Sequence, residues 1–308
     1  MNIACCIDNN YVIQCGVLIT SIIENNKNEY INFHIITAGL SVQNEELLNQ
    51  MGNSSISITI HTIDSSILKS CPIRETDYVS LSTYFRILIP KILPNLDKII
   101  YLDCDIIVTG SLKELWDIDI SEYAVGAVLD MLTEDIRNYN RLNYSRVHNY
   151  FNAGVLLINI QYWIVNNITN TTLDFIIKNP DAVKKHDQDA LNKILHNKKL
   201  LLPLKFNLQD GFLYEEKILE RSYWDELEEA IKYPIIIHYT GSAKPWFKDC
   251  VHPYKEEYHK MLNKTIWKNK KARYKNNSTK AQLKRLLARI GFLNPPRSLF
   301  RNDLQTDI

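Results

Sequence analysis

The 308-residue sequence predicts an α/β fold, a mostly parallel sheet flanked by helices, with a basic helical extension at its C-terminus. Three observations carry this reading. Strand-like apolar runs alternate with helical patterns over the first 60 residues, later apolar runs end repeatedly in polar clusters, and the charge changes character near residue 259.

The apolar run at 2–7 ends in Asp8-Asn9-Asn10-Tyr11, and residues 12–24 carry helical periodicity. Strand-like 31–37, a helical stretch near 43–51 and strand-like 56–60 continue the rhythm of parallel strands joined by helices. Apolar runs at 98–102, 106–108, 123–129, 153–159 and 233–239 read as further buried strands, and 161–178 and 188–196 as helices. A dinucleotide fold needs a G-x-G-x-x-G turn after its first strand; Asp8-Asn9-Asn10-Tyr11 stands there instead, which disfavours a nicotinamide enzyme.

No stretch approaches the roughly 20 apolar residues of a membrane span, and the N-terminus lacks the basic, apolar and small-residue segments of a signal peptide. A cytoplasmic protein is expected. Its six cysteines form no C-x-x-C pair, so disulfides and a zinc site are not expected. The net charge of +1 conceals a split: residues 259–302 hold thirteen Lys or Arg and no acid, leaving 23 basic and 33 acidic residues in 1–258. The main domain is therefore assigned to 1–258 and an extension to 259–308.

Within 98–108, an apolar strand meets Asp103-Cys104-Asp105 and a second strand follows at once. Strand side chains alternate, so Asp103 and Asp105 face the same way, and two close carboxylates favour a cation between them. Hard oxygen ligands suit Mg²⁺ or Mn²⁺; a solvated acidic turn is the alternative. His238, delivered by Ile235-Ile236-Ile237, would complete an N,O,O set suited to Mn²⁺, and Lys244 offers a point charge for a phosphate. In an open α/β sheet ligands bind beyond the carboxyl ends of the strands. Asp8-Asn9-Asn10-Tyr11, Asp103-Cys104-Asp105, Asp130 and His238-Tyr239-Thr240-Gly241 all follow apolar runs and would surround one crevice. Asp187-Gln188-Asp189 opens a helix, where N-capping by Asp187 or its neighbour is the alternative to a chemical role. These residues alone admit a metal-dependent hydrolase or nucleotidyltransferase, or a noncatalytic nucleotide-sugar or glycan-binding module.

Six segments in order resemble the retaining glycosyltransferases of family 8, which include bacterial lipopolysaccharide and lipooligosaccharide galactosyl- and glucosyltransferases and, more distantly, glycogenin. They are Cys6-Ile7-Asp8-Asn9-Asn10-Tyr11, Ser82-Thr83-Tyr84-Phe85-Arg86, Tyr101-Leu102-Asp103-Cys104-Asp105, Phe151-Asn152-Ala153-Gly154-Val155, Asp187-Gln188-Asp189-Ala190-Leu191-Asn192 and Ile237-His238-Tyr239-Thr240-Gly241-Ser242-Ala243-Lys244-Pro245-Trp246, spanning roughly 1–250. The resemblance implies a GT-A fold and a UDP-sugar donor, UDP-galactose or UDP-glucose, chelated through Mn²⁺, with Mg²⁺ as the substitute. It assigns Asp103, Asp105 and His238 to the metal, Asp103 also to the ribose, and Asp8, Asn10 and Tyr11 to the uridine, with Tyr11 stacking on the base. Gly241 and Lys244 would meet the diphosphate, and Arg86, Asp130, Asn152, Asp187 and Gln188 the transferred hexose. Retention then comes either from double displacement, with Asp189 or Asp187 as nucleophile, or from same-face attack with a UDP oxygen as base. Same-face attack is favoured because no carboxylate stands out as a nucleophile.

In the extension, Leu283, Leu286, Leu287 and Ile290 fall at helical spacing among Lys280, Lys284, Arg285 and Arg289, with Gly291 as C-cap. A basic amphipathic helix of this kind lies on anionic membranes; a helix docked on the catalytic domain is the alternative. No nucleic-acid motif accompanies the charge, so RNA is not an expected partner. The expected acceptor is a saccharide, lipid-linked, at the inner face of the cell membrane.

Overall fold

The computed structural model describes residues 1–72, 81–242, 244–290, 292 and 298–304. β1 (Asn2–Cys6), α1 (Val12–Asn25), β2 (Ile31–Thr37), α2 (Val42–Asn49) and β3 (Ile56–Thr62) form the expected alternation. The chain continues through α3 (Ile89–Ile92), β4 (Lys98–Leu102), β5 (Ile106–Val108), α4 (Lys113–Asp117), β6 (Val125–Leu129), α5 (Ile136–Leu142), β7 (Phe151–Asn159), α6 (Ile160–Val165), α7 (Ile168–Lys178) and α8 (His186–Leu195). It ends with β8 (Lys199–Leu201), β9 (Leu208–Gln209), α9 (Trp224–Lys232), β10 (Ile236–His238), α10 (Lys255–Leu262) and α11 (Thr279–Arg289), with short 3₁₀ turns between.

The main sheet has strand order β3-β2-β1-β4-β7-β6-β8, and β7 runs antiparallel to both neighbours. The chain leaves β1 toward β2 and β3 on one side and later returns to β4 on the other, so the order reverses between β1 and β4. Such a switch point leaves a crevice beyond the strand ends. β1, β4, β6 and β7 are buried almost throughout because apolar clusters cover both faces. One cluster holds Leu18, Phe33, Leu102, Val155 and Phe206; the other holds Tyr84, Tyr101, Leu156, Trp163 and Leu191. A second sheet, β5-β10-β9, stands beside the crevice, with His238 opposite Ile106 on one side and Gln209 on the other.

Several boundaries differ from expectation. The stretch 161–178 is two helices, broken at Asn166 and at Asn167, which takes a left-handed φ of 52°. The helix expected over 188–196 starts at His186 behind Lys185, so Asp187 lies inside the first turn and is not the cap. Of the run 233–239, only Ile236–His238 pairs as strand. The expected C-cap at Gly291 lies outside the described residues.

The division at residue 258 falls inside α10. Tyr258, Met261 and Leu262 pack with Val17, Ile107, Ile237 and Tyr239, and the Trp267 ring closes against Gly16 of α1. Each such side chain contributes about 2 kcal/mol of burial, comparable in sum to the stability of a domain. The packed body therefore extends past α10 to Lys275, with Lys248 N–H donating to Arg273 O and Lys275 N–H to Asp249 Oδ1. Farther on, Phe300 bridges to Tyr214, and Arg301 pairs with Glu228, returning the chain to the body. Between these anchors α11, capped by Ser278, leaves Leu283, Leu286 and Ile290 more than half exposed, as is Phe292 beyond it.

Two histidines, His34 half-buried and His252 buried, give the fold a pH signature. Burial pushes His34, beside His61, and His252, beside Asp210, down to about 4 from the ordinary 6.5. As pH falls below about 6.5 the unfolded chain takes up protons that the folded chain refuses until about 4, so stability falls with pH across that window. Urea-unfolding midpoints measured between pH 7.5 and 4.5 should decline, and the decline should flatten in His252→Gln.

Candidate functional site

At the end of β4, Asp103 N–H donates to Gly154 O at 2.8 Å, prolonging the pairing with β7 past the last strand residue. The chain turns through Cys104, and Asp105 leads into β5, whose pairing with β10 sets His238 beside both acids. His238 Nε2 lies 3.2 Å from Asp105 Oδ1 and 3.9 Å from Asp103 Oδ2, and one ligand atom from each residue falls within 4.8 Å of the others. Gly154 is required here: a methyl on its Cα would overlap His238 Cε1 and lie 2.8 Å from Asp103 Oδ2.

The remaining atoms of the three residues are committed elsewhere. Asp103 Oδ1 accepts from Tyr101 Oη at 2.6 Å and pairs with Arg86 Nη2 at 3.0 Å. Asp105 Oδ2 accepts from Lys244 Nζ at 2.6 Å. His238 Nδ1 is 2.9 Å from Asn207 Oδ1, and Asn207 Nδ2 donates to Asn152 Oδ1 at 2.9 Å. An amide oxygen only accepts, so Nδ1 donates to Asn207 and Nε2 is the ring nitrogen turned toward the two carboxylates. Two carboxylate oxygens and one imidazole nitrogen thus converge with their outer bonds satisfied. This donor set fits Mn²⁺, and Mg²⁺ less well for the nitrogen.

Burial alone would push the Asp105 carboxyl up, but Lys244 and His238 outweigh it and hold Asp105 well below the usual carboxylate range. For Lys244 the balance mirrors this: burial opposes the charge, and Asp105 restores it and raises the ammonium above its ordinary value. Asp187 lies the other way. Its burial outweighs Arg86 and Thr83 and raises its carboxyl.

A cavity of about 310 Å³ gathers Arg86, Asp103, Asp105, Asn152, Asp187, Gln188, His238 and Lys244, all singled out from the sequence. It also gathers Thr240, expected at the crevice with its neighbours, and Thr83, Ala153, Gly154, Lys185 and His186, which carried no individual role in the sequence reading. Arg86 ties the two sides together through ion pairs to Asp103 (3.0 Å) and Asp187 (2.9 Å), and Thr83 Oγ1 donates to Asp187 Oδ1 at 2.8 Å. Asp130 stands one layer behind, accepting from Gln188 Nε2 at 3.0 Å and Asn152 Nδ2 at 2.9 Å. Gln188 Oε1 accepts from Ala153 N–H at 3.0 Å.

Besides Asp130, five expected residues do not line this cavity. Asp8 caps the turn after β1 by accepting from Asn10 N–H at 2.8 Å. Tyr11 meets the Trp246 ring edge-on, close enough to Cys104 and Asp105 that, after burial, their charges raise its hydroxyl. Asn10 opens onto a neighbouring groove with Trp246, Tyr258 and Arg273, and Gly241 lies against the Asp210 carboxylate. Asp189 is a correction. It is wholly buried, bound to Arg141 (2.6 Å), Tyr150 Oη (2.7 Å) and the N–H groups of Lys184 and Lys185 (2.6 Å), so it anchors the loop before α8 and has no access to a substrate.

Asn207 and Gly154 are the supporting residues that sequence reasoning missed. A signal for Asn207 existed in Phe206-Asn207-Leu208-Gln209-Asp210, where polar residues interrupt an apolar segment. Gly154→Ala should keep the fold, judged by far-UV circular dichroism, yet weaken Mn²⁺ binding by about 100-fold in a calorimetric titration. Asn207→Ala, which frees the imidazole to rotate, should weaken it by about tenfold.

The model of glycosyl transferase family 8 matches residues 2–250. The general stress protein A of Bacillus subtilis is 31% identical over 280 residues, covering 87% of this chain and 94% of that protein. The lipopolysaccharide 1,3-galactosyltransferase of Salmonella typhimurium is 31% identical over 281 residues, covering 86% and 79%. Among solved structures, galactosyltransferase LgtC in complex with donor and acceptor sugar analogs superimposes with a TM-score of 0.78 at 25% identity, covering 86% of this chain and 96% of that one. The architecture is the GT-A fold, and the chain belongs to glycosyl transferase family 8.

Proposed function

We propose that the protein transfers a hexose, galactose or glucose, from a UDP-sugar to a saccharide acceptor in the synthesis of a surface glycan, with retention at the anomeric carbon. The observation that carries this reading is one cavity holding Asp103, Asp105 and His238 with Lys244 against Asp105 and Arg86, Asp187, Gln188 and Asn152 around the rest. Cleavage of a glycosyl phosphate leaves negative charge on the departing UDP. Mn²⁺ held by Asp103, Asp105 and His238 would supply positive charge there, and Lys244 adds a second cation beside it. Asp8, Asn10 and Tyr11 take the uridine end at the carboxyl end of β1, and Gly241 approaches the diphosphate through its backbone.

Same-face attack is the better supported route to retention. Asp189 is closed off by Arg141, Asp187 is held by Arg86 and Thr83, and the Gln188 amide oxygen is bonded to Ala153 N–H. Each is a positioning group here, and the oxygen of the departing phosphate is left as the base for the acceptor hydroxyl. The acceptor is proposed to be lipid-linked, at the inner face of the cell membrane. Supporting this, α11 exposes Leu283 and Leu286 beside Lys280 and Lys284, and Ile290 and Phe292 just beyond the helix are exposed as well. No helix among the described residues is long and apolar enough to cross a membrane.

Incubation with UDP-galactose or UDP-glucose and Mn²⁺ should release UDP faster when a saccharide or glycolipid acceptor is added; turnover indifferent to every acceptor would identify a hydrolase instead. Asp105→Asn, which preserves shape and removes the charge, should lower kcat/KM by about 100-fold while keeping a native circular-dichroism spectrum, with a melting temperature lowered by the unpaired Lys244 ammonium. A chain ending at residue 276 keeps α10 and Trp267 and should retain donor turnover, yet lose cosedimentation with liposomes containing acidic lipid. Equal pelleting of both chains would remove the membrane from the proposal.

A further inference from the structure

We propose that Lys244 is an exchangeable counter-ion, held on Asp105 until a nucleotide diphosphate draws it away, so that nucleotide and divalent cation bind cooperatively. The inference rests on reading the cavity as a UDP-sugar site and adds how that site is loaded.

Lys244 Nζ donates to Asp105 Oδ2 at 2.6 Å and to Tyr239 O, and Asp105 Oδ1 faces His238 Nε2 at 3.2 Å. The carboxylate that must serve as cation ligand is thus already neutralised by an ammonium ion. Both side chains are only 19% exposed, so water screens the pair poorly. A divalent cation arriving between Asp105 and His238 would meet a fixed positive charge on the far oxygen of its own ligand.

The two acids of the site differ in how firmly their partners are fixed. Arg86, on Asp103, also pairs with Asp187 and donates to the carbonyls of Thr83 and Ala153, which makes it a permanent part of the wall. Lys244 sits on a flexible stem in the irregular segment between β10 and α10, with Asp105 and Tyr239 O as its two partners. A diphosphate supplies new acceptors and negative charge, so Lys244 turns from carboxylate to phosphate and Asp105 is released to the cation. The exchange makes and breaks ionic hydrogen bonds only. By linkage, the factor by which UDP tightens Mn²⁺ equals the factor by which Mn²⁺ tightens UDP.

The test is Mn²⁺ binding to the full chain, followed by electron paramagnetic resonance of free Mn²⁺, with and without saturating UDP. Wild type should bind Mn²⁺ about tenfold more tightly with UDP present. Lys244→Met should bind Mn²⁺ alone about tenfold more tightly than wild type and respond less to UDP, because only chelation by the diphosphate remains, whereas Lys244→Arg should keep the full response. Mn²⁺ without nucleotide should also raise the melting temperature of Lys244→Met more than that of wild type. If Lys244→Met does not fold, Lys244→Gln serves, because its amide retains a bond to Asp105 without the charge. A neutral variant that binds Mn²⁺ no more tightly than wild type overturns the proposal, as does a wild type whose Mn²⁺ affinity ignores UDP. Wild type that binds neither Mn²⁺ nor UDP overturns the donor-site reading along with it.

Discussion

The pairing of β10 with β5 is the interaction on which the site depends. It joins segments about 130 residues apart and seats His238 opposite Ile106, one residue from Asp105. Because strand side chains alternate, a register slip of one residue would turn the imidazole to the other face and leave two carboxylates without their third partner. Close packing holds the register. Ile107 and Ile237 face Tyr239, Tyr258 and Met261, so the segment assigned by charge to the extension helps hold the strand that carries the ligand.

A second constraint is the accommodation of several carboxylates in a poorly hydrated crevice. Asp103, Asp105 and Asp187 are each matched to a basic side chain, and Asp130 is satisfied by amide and backbone N–H groups. Buried charges without such partners would protonate or push the loops apart. The matching is uneven by design of the chain: Arg86 serves two acids with a rigid planar head, while Lys244 serves one with a mobile stem.

The strands were legible because both faces are covered, which forces nearly continuous apolar runs; those at 2–7, 31–37 and 98–102 matched the observed strands to within a residue. Other elements were hidden. α9 buries only Leu227, Ala230 and Ile231 beneath a charged face, and β9 is two residues long. The break at Asn167 arises from a backbone conformation that apolar periodicity does not encode. In the site, Asp103, Asp105 and His238 stood out as polar residues directly after apolar runs. Asp189 was misread although simple geometry separates it from Asp187: two residues apart on a helix, they point to opposite sides, one toward Arg86 and the other toward Arg141. Gly154 gains its role only when distant segments meet, a relation that local sequence does not carry, and Asn207 left only the trace of a polar residue inside an apolar segment.

The segment holding α11 leaves the body after Lys275, whose N–H donates to Asp249 Oδ1, and rejoins it at Phe300. Attachment at both ends makes it a strut instead of a leash. A leashed helix would let the catalytic body tumble above whatever the helix touched, sampling acceptors at every angle and height. Held at both ends, the strut has a limited reach, so any surface that α11 rests upon stays within a bounded distance of the crevice. For a reaction whose second substrate is confined to a plane, this turns a three-dimensional search into a lateral one.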